Sequence, residues 1–281
     1  MKSKIAVISH ARKEPFFIRL WAQHYAKQFG SESLFLMKDG DDWELPTDTK
    51  IGTVKPISLD QNRTKADEEF AALSETLAAE LLQRFDMVLR VDIDEFLCLE
   101  PGKDGWDDVV EECTKNGYLY ALGFDVIHKT DVEGPLDPSR PILSQRQHAS
   151  FTGSYCKPHA VTAPIEWTSA CHTVKNKPVI LSKYLWMFHL ASMDRDLTLS
   201  RAVERGDTER RSYAGHLNRK MSQFDTMLKA SFFSVDHAEA EMRKKIEFDD
   251  LGCRKDSPRF RNILGHRTIK VTLPQRFSEC I

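Results

Sequence analysis

The alternation of short apolar runs with amphipathic stretches over the first 91 residues limits the fold more than any other feature. Lys4–Ser9 reads as a buried strand. Glu14–Pro15 opens a helix, with proline at a first-turn position where its missing N–H does no harm. Phe17, Leu20, Trp21 and Tyr25 share one helical face, and Gly30 supplies the stop. Ser33–Met37 is a second strand ending in the acidic loop KDGDDW, followed by a turn-rich passage to about Asn62. From Thr64 a long helix is expected, with Phe70, Leu73, Leu77, Leu81 and Phe85 at three- and four-residue steps and Thr64 with Asp67 as a capping pair. Asp86–Val91 is the next strand. Strand–helix–strand–helix–strand favours a mostly parallel sheet flanked by helices.

Trp106–Lys115 continues as helix, and Tyr118–Phe124 and Val179–Leu190 as strands. Between about Pro135 and Pro178 periodicity is weak, and loops with short strands are expected. Beyond Asp194 the pattern turns helical, with Met221, Phe224 and Leu228 on one face. The expected α/β fold is one domain: a core over residues 1–206 and a helical, basic portion over 207–281 packed on it.

Net charge is −2, which gives no reason to expect nucleic acid as a partner. No apolar stretch approaches the roughly 18–20 residues that span a bilayer, and the IAVI run is too short for a signal peptide. The six cysteines form no CxxC pair, so reduced thiols in a cytosolic chain are expected, without structural zinc.

Residues 91–97 read VDIDEFL, directly after the apolar MVL. Ligands of parallel α/β sheets bind beyond the carboxyl ends of the strands. Asp92 and Asp94 stand at that edge, and in an extended segment alternate side chains point the same way. Two carboxylates so placed make a hard oxygen site for Mg2+ or Mn2+. The alternative is a solvated acidic turn.

The order IAVISHARKEPFFIRLWAQHY, LFLMKDGDDW and VLRVDIDEFLCLEP resembles the glycosyltransferase family 2-like proteins of the GT-A fold, in the branch with Glu-Phe-Leu after the second aspartate. That branch also carries a Lys-Pro, here Lys157–Pro158, and a late histidine before a helix, here FHLASMDRDLTLSRAVERGD. The resemblance covers roughly residues 4–206 and is strongest at 86–101 and 188–206. It implies a Rossmann-like nucleotide-binding half, a nucleotide-sugar donor, and a glycan or glycolipid hydroxyl as acceptor. By the same resemblance Asp92 touches the ribose and the metal, Asp94 is the principal metal ligand, and His189 completes the shell, with His172 as its rival. His159 and His148 gain no role from it. Asp39 stands where the family contacts base or ribose; it can equally be a turn aspartate before Gly40. Arg63 stands where a cation meets the diphosphate, or is a solvated arginine.

Departure of a nucleoside diphosphate is eased by a divalent ion and by basic side chains. The acceptor hydroxyl needs a general base, for which Asp125 and Glu166 are the candidates; Glu95 is structural. Single displacement with inversion follows from the resemblance. The stretch RKDSPRFRNILGHRTIKVTLPQRF holds seven Lys/Arg against one acidic residue, which suits an anionic acceptor, peripheral contact with a membrane's inner face, or plain solvation. Two rival readings share the motif. A haloacid-dehalogenase-like phosphatase needs its first aspartate near the start of the fold and usually Thr or Val where Phe96 stands. A non-catalytic nucleotide-sugar-binding protein would not need an intact carboxylate pair.

Overall fold

The computed structural model describes the chain except residues 1, 61, 104, 152, 207–212 and 251–267, and except the side chains of 63, 202–206, 213–220 and 245–250. The elements begin with β1 (Ile5–Ala11), α1 (Pro15–Phe29), β2 (Leu34–Asp39), β3 (Thr53–Ile57) and α2 (Arg63–Leu81). Next come β4 (Met87–Arg90), β5 (Glu95–Leu99), α3 (Asp107–Thr114), β6 (Tyr118–Ile127) and α4 (Ile142–Gln145). β7 (His148–Phe151), β8 (Pro158–Val161), β9 (Leu181–Ser192), α5 (Arg195–Gly206) and α6 (Tyr213–Leu228) follow. The described elements close with β10 (Phe233–Ser234), α7 (Val235–Asp250) and β11 (Ile269–Thr272). The fold is mixed α/β, as the alternating pattern predicts.

Two compact units divide the chain: Met1–Leu122 with Cys156–Met187, and Gly123–Tyr155 with Phe188–Ile281. In the first unit β3, β2, β1 and β4 are neighbours and all parallel. β8 then pairs antiparallel with β4, and the first part of β6 antiparallel with β8. Parallel strands covered by helices on their faces read as continuous apolar runs, and β1 and β4 do so: Ile5 to Ile8 and Met87 to Leu89 are all buried. One face carries α2, whose Phe70, Leu77 and Leu81 pack with Ala6, Ile8 and Val88. In α1 the buried positions are Phe17, Ile18, Trp21, Ala22 and Tyr25, and Gly30 ends the helix at φ 84, where a side chain is strained.

Two local readings are corrected. The cap of α2 is Asn62, whose side chain accepts from the backbone N–H of Thr64 and Lys65, and not Thr64. The passage before it holds β3, an edge strand with Pro56 inside it and mostly exposed side chains, so it carries no apolar alternation to read.

In the second unit, β7 pairs antiparallel with Phe124–Val126 of β6 and with β11, which runs parallel to β10. Among the described side chains of α6, Phe224 and Met227 are buried, whereas Leu228 is exposed. Gly123 lies so close to the Tyr155 backbone that a Cβ there would collide with the Tyr155 carbonyl. That close approach explains glycine inside a buried strand.

Candidate active site

The parallel strand β4 ends at Arg90, and the acidic run follows at once. Asp92 to Glu95 is a tight turn rather than extended chain: the Glu95 N–H donates to the Asp92 carbonyl at 3.0 Å. Glu95 closes the turn from the side, its Oε2 accepting from the Asp92 N–H at 2.9 Å. Glu95 is fully buried, as a structural role requires.

A buried carboxylate needs a cation, and Lys157 supplies it. This lysine, just before β8, places Nζ 2.6 Å from Glu95 Oε1 and 2.6 Å from Asp92 Oδ2. Arg90 takes the other Asp92 oxygen at 2.7 Å. The guanidinium is buried and lies over the Phe70 ring, 4.6 Å from its centroid. Its Nε and Nη1 have no hydrogen-bond partner among the described residues. The Asp92 side chain is 38% exposed. Burial alone would raise its pKa, but Arg90 and Lys157 outweigh that and hold the carboxyl well below the usual range. Asp94 is buried at the same turn. His172 lies within electrostatic reach of Asp92. Asp92 and Glu95 thus face Arg90 and Lys157, two carboxylates against two cations.

Among the described residues no three His, Cys, Asp or Glu side chains converge to cage a metal ion by themselves. Mg2+ and Mn2+ sites do not need such a cage: one or two carboxylates suffice when water and phosphate oxygens complete the shell. Asp94 with Asp92 is a donor set of that kind, with Asp92 already shared between two cations.

No protein-family model matches the chain, and no curated protein does. Among solved structures it is similar to mannose-1-phosphate geranyltransferase from Thermus thermophilus, at 13% identity and a TM-score of 0.30, over 97% of this chain and 74% of that one. A likeness that weak carries nothing about activity.

The remaining candidates fall in different surroundings. Asp39 ends β2 and is buried, with Oδ1 accepting from the Leu59 N–H at 3.1 Å and His10 Nε2 3.8 Å from Oδ2. The side chain of Arg63 lies outside the described residues, although its backbone opens α2. Glu166 is exposed and paired with Lys175 at 3.0 Å. Asp125 and His189 both belong to the second unit and are hydrogen-bonded to each other, Nδ1 to Oδ1 at 2.7 Å. His148 pairs instead with Glu133 at 2.7 Å. Most of the basic C-terminal stretch lies outside the described residues, and no helix among the described residues is long and apolar enough to cross a membrane.

His159, beside Arg90 across the β4–β8 pair, is fully buried and donates from Nδ1 to the Arg90 carbonyl at 2.9 Å. Burial lowers its pKa. In α1, His24 meets the Leu97 carbonyl at 2.9 Å, and burial takes its pKa from 6.5 down to about 4. Both rings are therefore neutral in the fold, while the unfolded chain takes up protons near pH 6.5. Their contribution to stability is complete above that pH and falls as pH drops toward about 4. Urea midpoints across this window should decrease with falling pH, and His24→Gln should flatten the slope. A midpoint constant across the window would contradict it.

Proposed function

We propose that the chain is a metal-dependent glycosyltransferase that moves a sugar from a nucleotide-sugar donor to a hydroxyl of a glycan or glycolipid, with inversion. The observation that carries this reading is the acidic turn Asp92–Glu95 at the carboxyl end of a parallel strand, backed by Arg90 and Lys157. Asp94 serves as the principal ligand of a Mn2+ or Mg2+ ion, and Asp92 shares it. Bound there, the ion supplies positive charge to the departing diphosphate. Arg90 and Lys157 fix the Asp92 carboxylate, so no reorganisation of that group is needed as charge develops. Arg63 at the start of α2 is a further candidate for the diphosphate, and Asp39 at the end of β2 for the base or ribose. The same reading gives the protein a cytosolic place, with its basic C-terminal stretch meeting an anionic acceptor or the membrane's inner face.

The test is calorimetric titration with UDP, GDP and ADP and the matching nucleotide sugars, each with and without Mn2+. Binding of at least one diphosphate that depends on Mn2+ is expected, together with a transfer product whose anomeric proton coupling shows inversion. Absence of any nucleotide binding, with hydrolysis of phosphate monoesters in its place, would overturn the proposal in favour of a phosphatase.

A further inference from the structure

The start of α5, in the second unit, is capped from two directions. A helix start leaves backbone N–H groups without intrahelical partners, and two side chains take them here. Asp194, just before the helix, accepts from the Leu197 N–H through Oδ1 at 3.0 Å. The Arg195 N–H donates to Nδ1 of His128, 67 residues away in the chain, at 3.2 Å. His128 directly follows β6, donates its own backbone N–H to the Ser192 carbonyl at 3.0 Å, and is 9% exposed. Its other ring nitrogen, Nε2, lies 3.0 Å from the Glu133 carbonyl.

Both partners of the ring are backbone groups with fixed roles. An N–H only donates and a carbonyl only accepts, so Nδ1 must carry the lone pair and Nε2 the proton. The neutral ring in that tautomer satisfies both contacts. A proton on Nδ1 instead sets two donors against each other and places a cation at the positive end of the helix dipole. The charged groups on the segments around the ring already have partners. In the loop after β6, Lys129 pairs with Asp131 at 2.6 Å. The Glu133 carboxylate accepts from the Lys129 and Gln147 N–H groups and meets His148 Nδ1 at 2.7 Å. At the helix start, Asp194 Oδ2 takes Arg146 at 3.3 Å, and Arg195 lies 3.7 Å from Asp196. An imidazolium gains none of these carboxylates without breaking a contact.

We propose that His128 is a pH-sensitive cap that ties the start of α5 to the end of β6, and that proton uptake at Nδ1 releases the first turn of the helix. The proton and the Arg195 N–H compete for one lone pair. The helix start therefore opens as pH falls through the range of about 8 to 5 in which histidine takes up charge. The switch is independent of the transferase reading, since every residue in it lies in the second unit and none belongs to the acidic turn.

The test is amide hydrogen exchange of the full chain across that pH range, resolved by nitrogen-15 NMR and expressed as protection factors. Protection of the Arg195 and Leu197 amides should fall by up to about tenfold per pH unit, the limit for one linked proton. Amides of the β6–β7 ladder, Phe124–Val126 against Ala149–Phe151, should keep theirs, which separates local release from global unfolding. Ring-nitrogen spectra at the alkaline end should show His128 protonated on Nε2. His128→Asn keeps an acceptor near the place of Nδ1 but does not titrate, so protection at Arg195 should persist to the acid end. His148→Gln, at the neighbouring titratable ring, should leave the wild-type slope in place. A wild-type Arg195 amide equally protected at both ends of the range overturns the proposal, as does a ring protonated on Nδ1 at the alkaline end. An equal loss of protection in the ladder also overturns it. So does a wild-type slope in His128→Asn, or the disappearance of the slope in His148→Gln. If His128→Asn does not fold, the tautomer and the slopes of the wild type and His148→Gln decide.

Discussion

Lys157→Met is expected to destabilise the protein by about 3–5 kcal/mol, the range for removing one partner of a buried charge pair. The lysine is 4% exposed and is the cation 2.6 Å from Glu95 Oε1, at a carboxylate with no exposure of its own. Methionine matches the lysine stem in volume but leaves Glu95 facing the neutral ring of His159, 3.9 Å from Oε2. Asp92 contributes less to the loss, since it keeps Arg90 and its side chain is 38% exposed. Urea unfolding gives the number. Adding Glu95→Gln to Lys157→Met should recover part of the loss, because the two residues are coupled through one contact. Strict additivity of the two substitutions would show that Lys157 acts through packing alone.

Asp94→Ala is expected to remove Mn2+-linked binding of nucleoside diphosphate, by more than the roughly 10–100-fold that loss of a second-shell hydrogen bond costs a metal site. The other two carboxylates of the turn, Asp92 and Glu95, keep Arg90 and Lys157 as partners in this variant. Asp92→Ala should differ. It removes the carboxylate paired with Arg90 and one of the two paired with Lys157, so its loss of metal-linked affinity comes with a lower urea midpoint. Titration with and without Mn2+, beside unfolding curves of both variants, separates the two effects. Unchanged metal-linked affinity in both would remove the metal-site reading.

The strands and helices of the first unit were legible because they repeat one physical pattern. Ile5–Ile8 and Met87–Leu89 are continuous apolar runs, and Phe70, Leu77 and Leu81 recur on one face of α2. β3 was hidden because an edge strand containing a proline shows no alternation. At the site, the carboxylates were legible as three acids in four positions, whereas their cations were less so. Arg90 sits two residues before Asp92 in a buried strand, and a basic residue there needs a partner, which is a readable signal. Lys157 is paired with Asp92 from 65 residues away, a distance no local pattern spans. Asp125 and His189 were both singled out, but for separate roles. Their hydrogen bond depends on β6 lying beside β9.

The 65-residue separation between Asp92 and Lys157 has a consequence for how the chain is made. At ~5–20 residues per second on the ribosome, the acidic turn emerges about 3–13 s before its lysine. During that interval β4 can pair with β1, but Glu95 has no ammonium to accompany it into the interior, and β8 does not yet exist. The first unit therefore cannot be completed until all of Gly123–Tyr155, which belongs to the second, has already left the exit tunnel. A nascent chain stalled before residue 157 should remain sensitive to protease around the Asp92–Glu95 turn, and release of a few tens more residues should protect it.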